Sequence, residues 1–224
     1  GTGDDILISE LVDIIKDITN FNGIVEYDKS KSDGTLRKVL NINKIKELAF
    51  LYSPNEHFTL ASGRESPHFF DMKPVMMNPE CAHLLGILIH DAINDFDRVD
   101  AIGGLELGAV PLTAIAIAKA GKGSKLKGFI VRKEPKGRGG RKTGNPPEIE
   151  GSSIMKGEHI ILLEDVTTTG GSALKAAKIL QDIGCKVVGC ITILDRQEGG
   201  IKAFAESNIP LIPLVLRSDI SGEK

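Results

Sequence analysis

From Val99 to Arg217 the chain alternates between two patterns. The runs "VDAIGG", "LKGFIVRKE", "HIILLED", "KVVGCITILD" and "IPLIPLVLR" are short and almost wholly apolar. The stretches "VPLTAIAIAKAG", "SALKAAKILQDIG" and "IKAFAES" carry apolar residues at helical spacing. A run that is apolar throughout suits a strand covered on both faces, and strands joined through helices lie parallel. The alternation predicts an α/β protein with a mostly parallel central sheet flanked by helices. One helix precedes it: "NPECAHLLGILIHDAINDF" offers Asn78 as N-cap, Pro79 in the first turn, and a stripe of Leu85, Leu88, Ile89, Ala92 and Phe96. At 224 residues and 41% hydrophobic composition, the chain fills one core with a small appendage.

The appendage is residues 1–43. "ILISELVDIIKDI" places Ile8, Leu11, Val12, Ile15 and Ile18 on one helical face, and "GIVEYDKSKSDGTLRKVL" suggests a hairpin about Asp33-Gly34. Neither segment carries recognisable chemistry. Residues 44–224 are expected to form the main domain. Within it, the segment 134–156 breaks the rhythm as a glycine- and proline-rich loop too long for a plain connection, and such loops are usually functional lids. Between Arg132 and Lys142 there are six Lys/Arg against one Glu. A net charge of −2 argues against general nucleic-acid affinity. No apolar run has the length of a membrane span. Cys81, Cys185 and Cys190 lack zinc spacing and read as reduced, buried thiols. No signal peptide is recognisable at the opening "GTG", so the expected location is the cytoplasm.

The chemistry gathers at "IILLEDVTTTGGSALKAAKIL", Ile160 to Leu180. In an open parallel sheet, ligands collect at the carboxyl ends of strands. This strand delivers Glu164 and Asp165 there, then turns through Thr167, Thr168, Thr169, Gly170, Gly171 and Ser172 into a helix. The helix start offers unpaired N–H groups and positive dipole, the glycines let backbone wrap an anion, and the hydroxyls add donors. A phosphate monoester fits such a loop. The two carboxylates repel phosphate and suit hydroxyl donors or a metal. A phosphate and a diol held close together describe a ribose 5-phosphate. A Walker-type P-loop is excluded here by the absence of its lysine.

"ILLEDVTTTGGSALKAA" resembles the phosphoribosyl pyrophosphate (PRPP) signature of the type I phosphoribosyltransferases. Further segments resemble the orotate phosphoribosyltransferases in particular: "FTLASGRESPHFFDMK", "GGLELGAVPL", "VRKEPKGRGG" and "LDRQEGG", in the family's order, covering about Ile45 to Leu216. The resemblance implies a type I phosphoribosyltransferase fold with a small N-terminal hood. It implies transfer of phosphoribosyl from PRPP to orotate, and a homodimer whose basic loop reaches the partner's site. Mg²⁺ would be held mainly by PRPP and water, with no direct protein ligand assigned.

By position, the resemblance implies PRPP contacts from Lys73, Arg132, Lys133, Glu164, Asp165 and the loop Thr167 to Ser172. Gly103, Gly104 and Gly108 would form the pyrophosphate loop at a strand end, with Glu106 beside bound magnesium or turned away. Lys136, Arg138 and Asp165 would be the catalytic groups. Thr168 and Arg196 would meet orotate, Arg196 offering a planar fork to base and carboxylate. Phe69 and Phe70 either pack near the base or belong to the core, and Lys73 has a plain alternative as a solvated strand-end charge. Three positions depart from the family pattern. Arg138 stands where a histidine is usual, Ala61 where a lysine is usual, and Glu164 where an aspartate is commoner. These departures leave open a transferase for another nucleobase, or a PRPP-binding regulator without turnover.

Overall fold

A computed structural model describes residues 8–26, 42–53, 57–59, 63, 65–135, 137 and 143–221. The expected hairpin within 23–40 lies almost entirely outside these residues, as do Ala61, Lys136, Arg138 and Arg141. The chain divides into two compact units, Gly1–Val39 and Leu40–Lys224. In the first unit, α1 (Ile8–Thr19) follows the predicted amphipathic run.

The second unit opens with α2 (Ile42–Ala49), β1 (Phe50–Tyr52), β2 (Phe58–Thr59), β3 (Glu65–Ser66), β4 (His68–Phe70), α3 (Lys73–Met76) and α4 (Pro79–Ile93). The main alternation follows: β5 (Ala101–Leu105), α5 (Ala109–Ala120), β6 (Lys127–Val131), β7 (Ile149–Gly151), β8 (His159–Thr167), α6 (Gly171–Asp182), β9 (Lys186–Asp195), α7 (Gly200–Glu206), β10 (Leu211–Leu216) and α8 (Arg217–Ser221). The central sheet has the order β10-β9-β8-β5-β6-β7. Its pairings are parallel except for β6 with β7. Two small antiparallel pairs, β1 with β4 and β2 with β3, stand apart from it in the hydrogen-bonding pattern.

Both faces of the sheet are covered, which is why its strands read as continuous apolar runs. Along β8, Ile161 and Leu163 enter one core with Leu85, Ile89 and Leu112. Ile160 and Leu162 enter the other with Ala173, Ala176, Leu180 and Phe204. Asn78 caps α4 as its sequence suggests, its side chain accepting from the Cys81 N–H at 3.2 Å. Cys81, Cys185 and Cys190 are buried and unpaired with one another. Among the described residues no helix is long and apolar enough to cross a membrane.

The long loop is shorter than its composition suggests. Residues 149–151 pair with β6 as an edge strand, and Ile149 within it and Ile154 just beyond it are buried. Asn145, also buried, donates to the Ser152 carbonyl and accepts from the Ile154 N–H. A three-residue strand with one buried apolar residue leaves no period for a sequence reading to find.

Candidate active site

Strand β8 carries its apolar residues inward to Leu163 and then changes character. Glu164 and the loop Val166 to Ser172 line one cavity at the carboxyl end of the sheet. Gly170, the residue before α6, has φ +82°, and a side chain there would crowd the Phe204 ring at 3.0 Å. Glycine therefore serves both the left-handed turn and the close approach to α7. Thr168 and Thr169 are half-buried to exposed beside it, while Thr167 is buried.

The two acids have different surroundings. Glu164 is 8% exposed, and burial pushes its carboxyl up to about 9, with the adjacent Asp165 charge adding to the rise and the Lys133 charge opposing it. Asp165 faces the start of α5: a side chain on Gly108 would collide with its carboxylate. The absent side chain lets the carboxylate sit at the positive end of that helix. One Asp165 oxygen accepts from the Val166 N–H at 2.9 Å.

The glycines of "GGLELG" divide. Gly103 and Gly104, expected in a loop, lie inside β5, where side chains would strike the Phe129 and Leu163 carbonyls. They permit tight strand and helix packing. The turn itself is Glu106 to Gly108. Glu106 accepts from the Lys133 backbone N–H at 2.9 Å. Arg132 Nη1 donates to Glu150 at 2.8 Å, lies 4.0 Å from the Glu106 carboxylate, and its Nε donates to the Glu134 carbonyl. Arg132 thus fastens the departing end of the basic segment to the turn after β5 and to β7, rather than standing free for an anion. Lys133 is exposed. Lys73, at the start of α3, pairs with Asp71 at 2.6 Å and is half-exposed.

Arg196 follows β9 directly, and its backbone N–H donates to the Thr167 carbonyl at 2.9 Å. That bond ties the end of β9 to the threonine loop. The side chain is 3% exposed. Its Nε donates to Glu198 at 2.8 Å, and Nη2 donates to Ser66 Oγ at 3.1 Å and to the His68 carbonyl at 3.3 Å. The guanidinium lies 5.5 Å above the Phe70 ring. The Nε–Nη2 edge of the expected fork is therefore occupied within the protein. Phe70 is buried in the core and stacks on Phe50, with ring centroids 5.0 Å apart, so it supports Arg196 from beneath. Phe69 leans on Phe58 at 5.5 Å.

The fold brings Glu164, Asp165, Thr167 to Ser172, Gly108, Lys133 and Arg196 to the same edge of the sheet. Lys136 and Arg138 fall outside the described residues. Sequence reasoning missed Glu198 and the tethering role of Glu106. The first carries one signal, an acid two residues beyond a strand-end arginine; the second carries none before the fold is known. Among the described residues no group of three or more His, Cys, Asp or Glu is arranged to hold a metal. The donor set at Glu164 and Asp165 fits a hard cation that keeps most of its ligands from water and phosphate.

Comparison with known proteins points one way. The family model of the phosphoribosyl transferase domain matches residues 76–205. An orotate phosphoribosyltransferase of Rhodopseudomonas palustris (strain BisB5) is 44% identical over 165 residues, 72% of this chain and 85% of the relative. That of Aquifex aeolicus is 38% identical over 177 residues, 79% of this chain and 93% of the relative. Among solved structures, the Mycobacterium tuberculosis orotate phosphoribosyltransferase in complex with PRPP superposes with a TM-score of 0.63 at 28% identity, covering 80% of this chain and 95% of that one.

Proposed function

The chain belongs to the orotate phosphoribosyltransferases, and from that premise we propose that the loop after β8 and the arginine after β9 are the two halves of its substrate site. The reaction is transfer of the 5-phosphoribosyl group from PRPP to orotate, giving orotidine 5′-monophosphate and pyrophosphate, a step of pyrimidine synthesis. The observation that carries the site assignment is the backbone bond from Arg196 to Thr167. It supports reading Arg196 as a base-reading cation beside a phosphate-binding loop.

In this reading the amides at the start of α6 and the hydroxyls of Thr167, Thr168, Thr169 and Ser172 hold the 5-phosphate, with Gly170 and Gly171 allowing close approach. Glu164 and Asp165 accept from the ribose hydroxyls. Glu164 holds its proton at neutral pH when the site is unfilled, and in that form its carboxyl donates one hydrogen bond and still accepts from a ribose hydroxyl. Thr168 and Arg196 orient orotate, with Phe69 at the edge of the base site. As the bond to pyrophosphate breaks, positive charge grows on the ribose ring and negative charge on the leaving group. Catalysis then rests on positioning and on charge at the leaving group. Lys133, Lys136 and Arg138 supply that charge, joined by Lys73 and Arg132 if each exchanges its carboxylate partner for diphosphate. Arg138 can neutralise but cannot shuttle a proton near neutral pH. The turn Glu106 to Gly108 borders the diphosphate. Mg²⁺ bound to PRPP would neutralise diphosphate charge.

We also propose a homodimer in the cytoplasm, with the basic segment serving the partner's site. Residues 1–43 are read as an N-terminal extension to the transferase domain 44–224, a division that lies near the one between the two compact units. The test is direct. Purified protein incubated with orotate, PRPP and Mg²⁺ is expected to consume orotate and release orotidine 5′-monophosphate. No product under these conditions overturns the assignment.

A further inference from the structure

Arg196 is an unusual recognition group because so much of it is already bonded. A guanidinium has five N–H donors and cannot lose its charge. Burying one without partners is costly, so partners are required wherever the side chain is sequestered. Here Nε is taken by Glu198, and Nη2 by Ser66 Oγ and the His68 carbonyl. The flat face rests on Phe70. These contacts come from separate parts of the chain: β3, β4 and the turn that follows β9. Nη1 is the nitrogen that none of these bonds engages.

We propose that Ser66 and Glu198 are positioning residues for orotate recognition, fixing the Arg196 guanidinium so that it offers Nη1 alone to the base. This rests on the functional reading above. A long flexible side chain loses rotamer freedom when it grips a ligand, and a side chain already immobilised has no such loss left to incur. Glu198 also balances the arginine charge, so the cage presents a directed donor more than a bare cation. Recognition then depends on an acceptor in one place and less on the total negative charge of the base.

The same bonds would exist if Arg196 merely fastened β3 and β4 to the sheet. A fastening role predicts loss of thermal stability with PRPP and orotate affected together. A positioning role predicts a split between the substrates. The experiment compares wild type, Ser66→Ala, Ser66→Thr, Glu198→Gln and Glu198→Ala for KM of each substrate, kcat and Tm. Ser66→Ala and Glu198→Ala are expected to raise the orotate KM about tenfold, the scale of one lost hydrogen bond to a charged group. The PRPP KM is expected to stay within about twofold of wild type, a change worth less than half a kcal/mol. Ser66→Thr, which keeps the hydroxyl, and Glu198→Gln, which keeps an acceptor, are expected to recover most of the loss. An unchanged orotate KM in both alanine variants, or equal loss for both substrates without rescue, overturns the inference while wild-type turnover upholds the functional reading. Failure of the wild type to convert orotate overturns both.

Discussion

The two strand ends proposed to make the site are built on opposite plans. At the end of β8 the binding surface is largely backbone: a left-handed Gly170, small hydroxyl side chains and the start of α6, open as a cavity. At the end of β9 it is a single buried side chain, held at Nε and Nη2 and set over a phenyl ring. The first plan suits a phosphate, which has the same acceptor oxygens on every side and needs many donors of modest direction. The second suits a flat heterocycle, whose edges differ and must be told apart. Under the proposed assignment, one sheet edge serves two ligand chemistries because successive strands end differently.

The largest effect is expected from neither strand end. Lys136→Ala should lower kcat by about 10²–10³, the scale of losing one charge aimed at a developing anion, with orotate binding little changed. Equal loss in both would make the basic segment a binding element rather than a catalytic one. Next, Arg196→Ala should cut kcat/KM for orotate by about a hundredfold, at the upper range for hydrogen bonds made by charged groups, and leave PRPP affinity close to wild type. Asp165→Asn should show the reverse pattern, weakening PRPP about tenfold through the loss of a charged hydroxyl acceptor. If both variants shift both substrates alike, the division of labour between the strand ends is wrong.

The smallest effect is on stability. Glu164 binds its proton more tightly in the fold than in the unfolded chain, its carboxyl lying at about 9 rather than 4.5. Its contribution to stability is therefore fully present below pH 4.5 and is lost as pH rises toward 9. Glu164→Gln should remove this loss. The variant should match wild type at pH 4.5 and exceed its Tm at pH 8, by a margin that widens as pH rises. A Tm difference that does not grow with pH contradicts the buried, protonated acid.

Much of this was legible in the residues. The apolar runs and the helical stripes between them gave every parallel strand and the helices between them, because burial on both faces forces that pattern. The acids followed by threonines and glycines marked the cavity, since each residue there does locally what its chemistry suggests. Legibility failed where a residue's role depends on a distant partner. Gly103 and Gly104 look like loop glycines until Phe129 and Leu163 are seen against them. Arg132 looks like a free cation until Glu106 and Glu150 close on it. Arg196 looks like a surface fork, and only the arrival of Ser66 and His68, over a hundred residues earlier in the chain, makes it a caged donor.

The most direct measurement is a crystal structure with orotidine 5′-monophosphate bound. The phosphate is expected on the amides between Thr168 and Ser172, the ribose hydroxyls on Glu164 and Asp165, and one edge of the base on Arg196 Nη1 with Glu198 still in place. A nucleotide bound elsewhere, or one in this cavity with its base turned away from Arg196, would contradict the account.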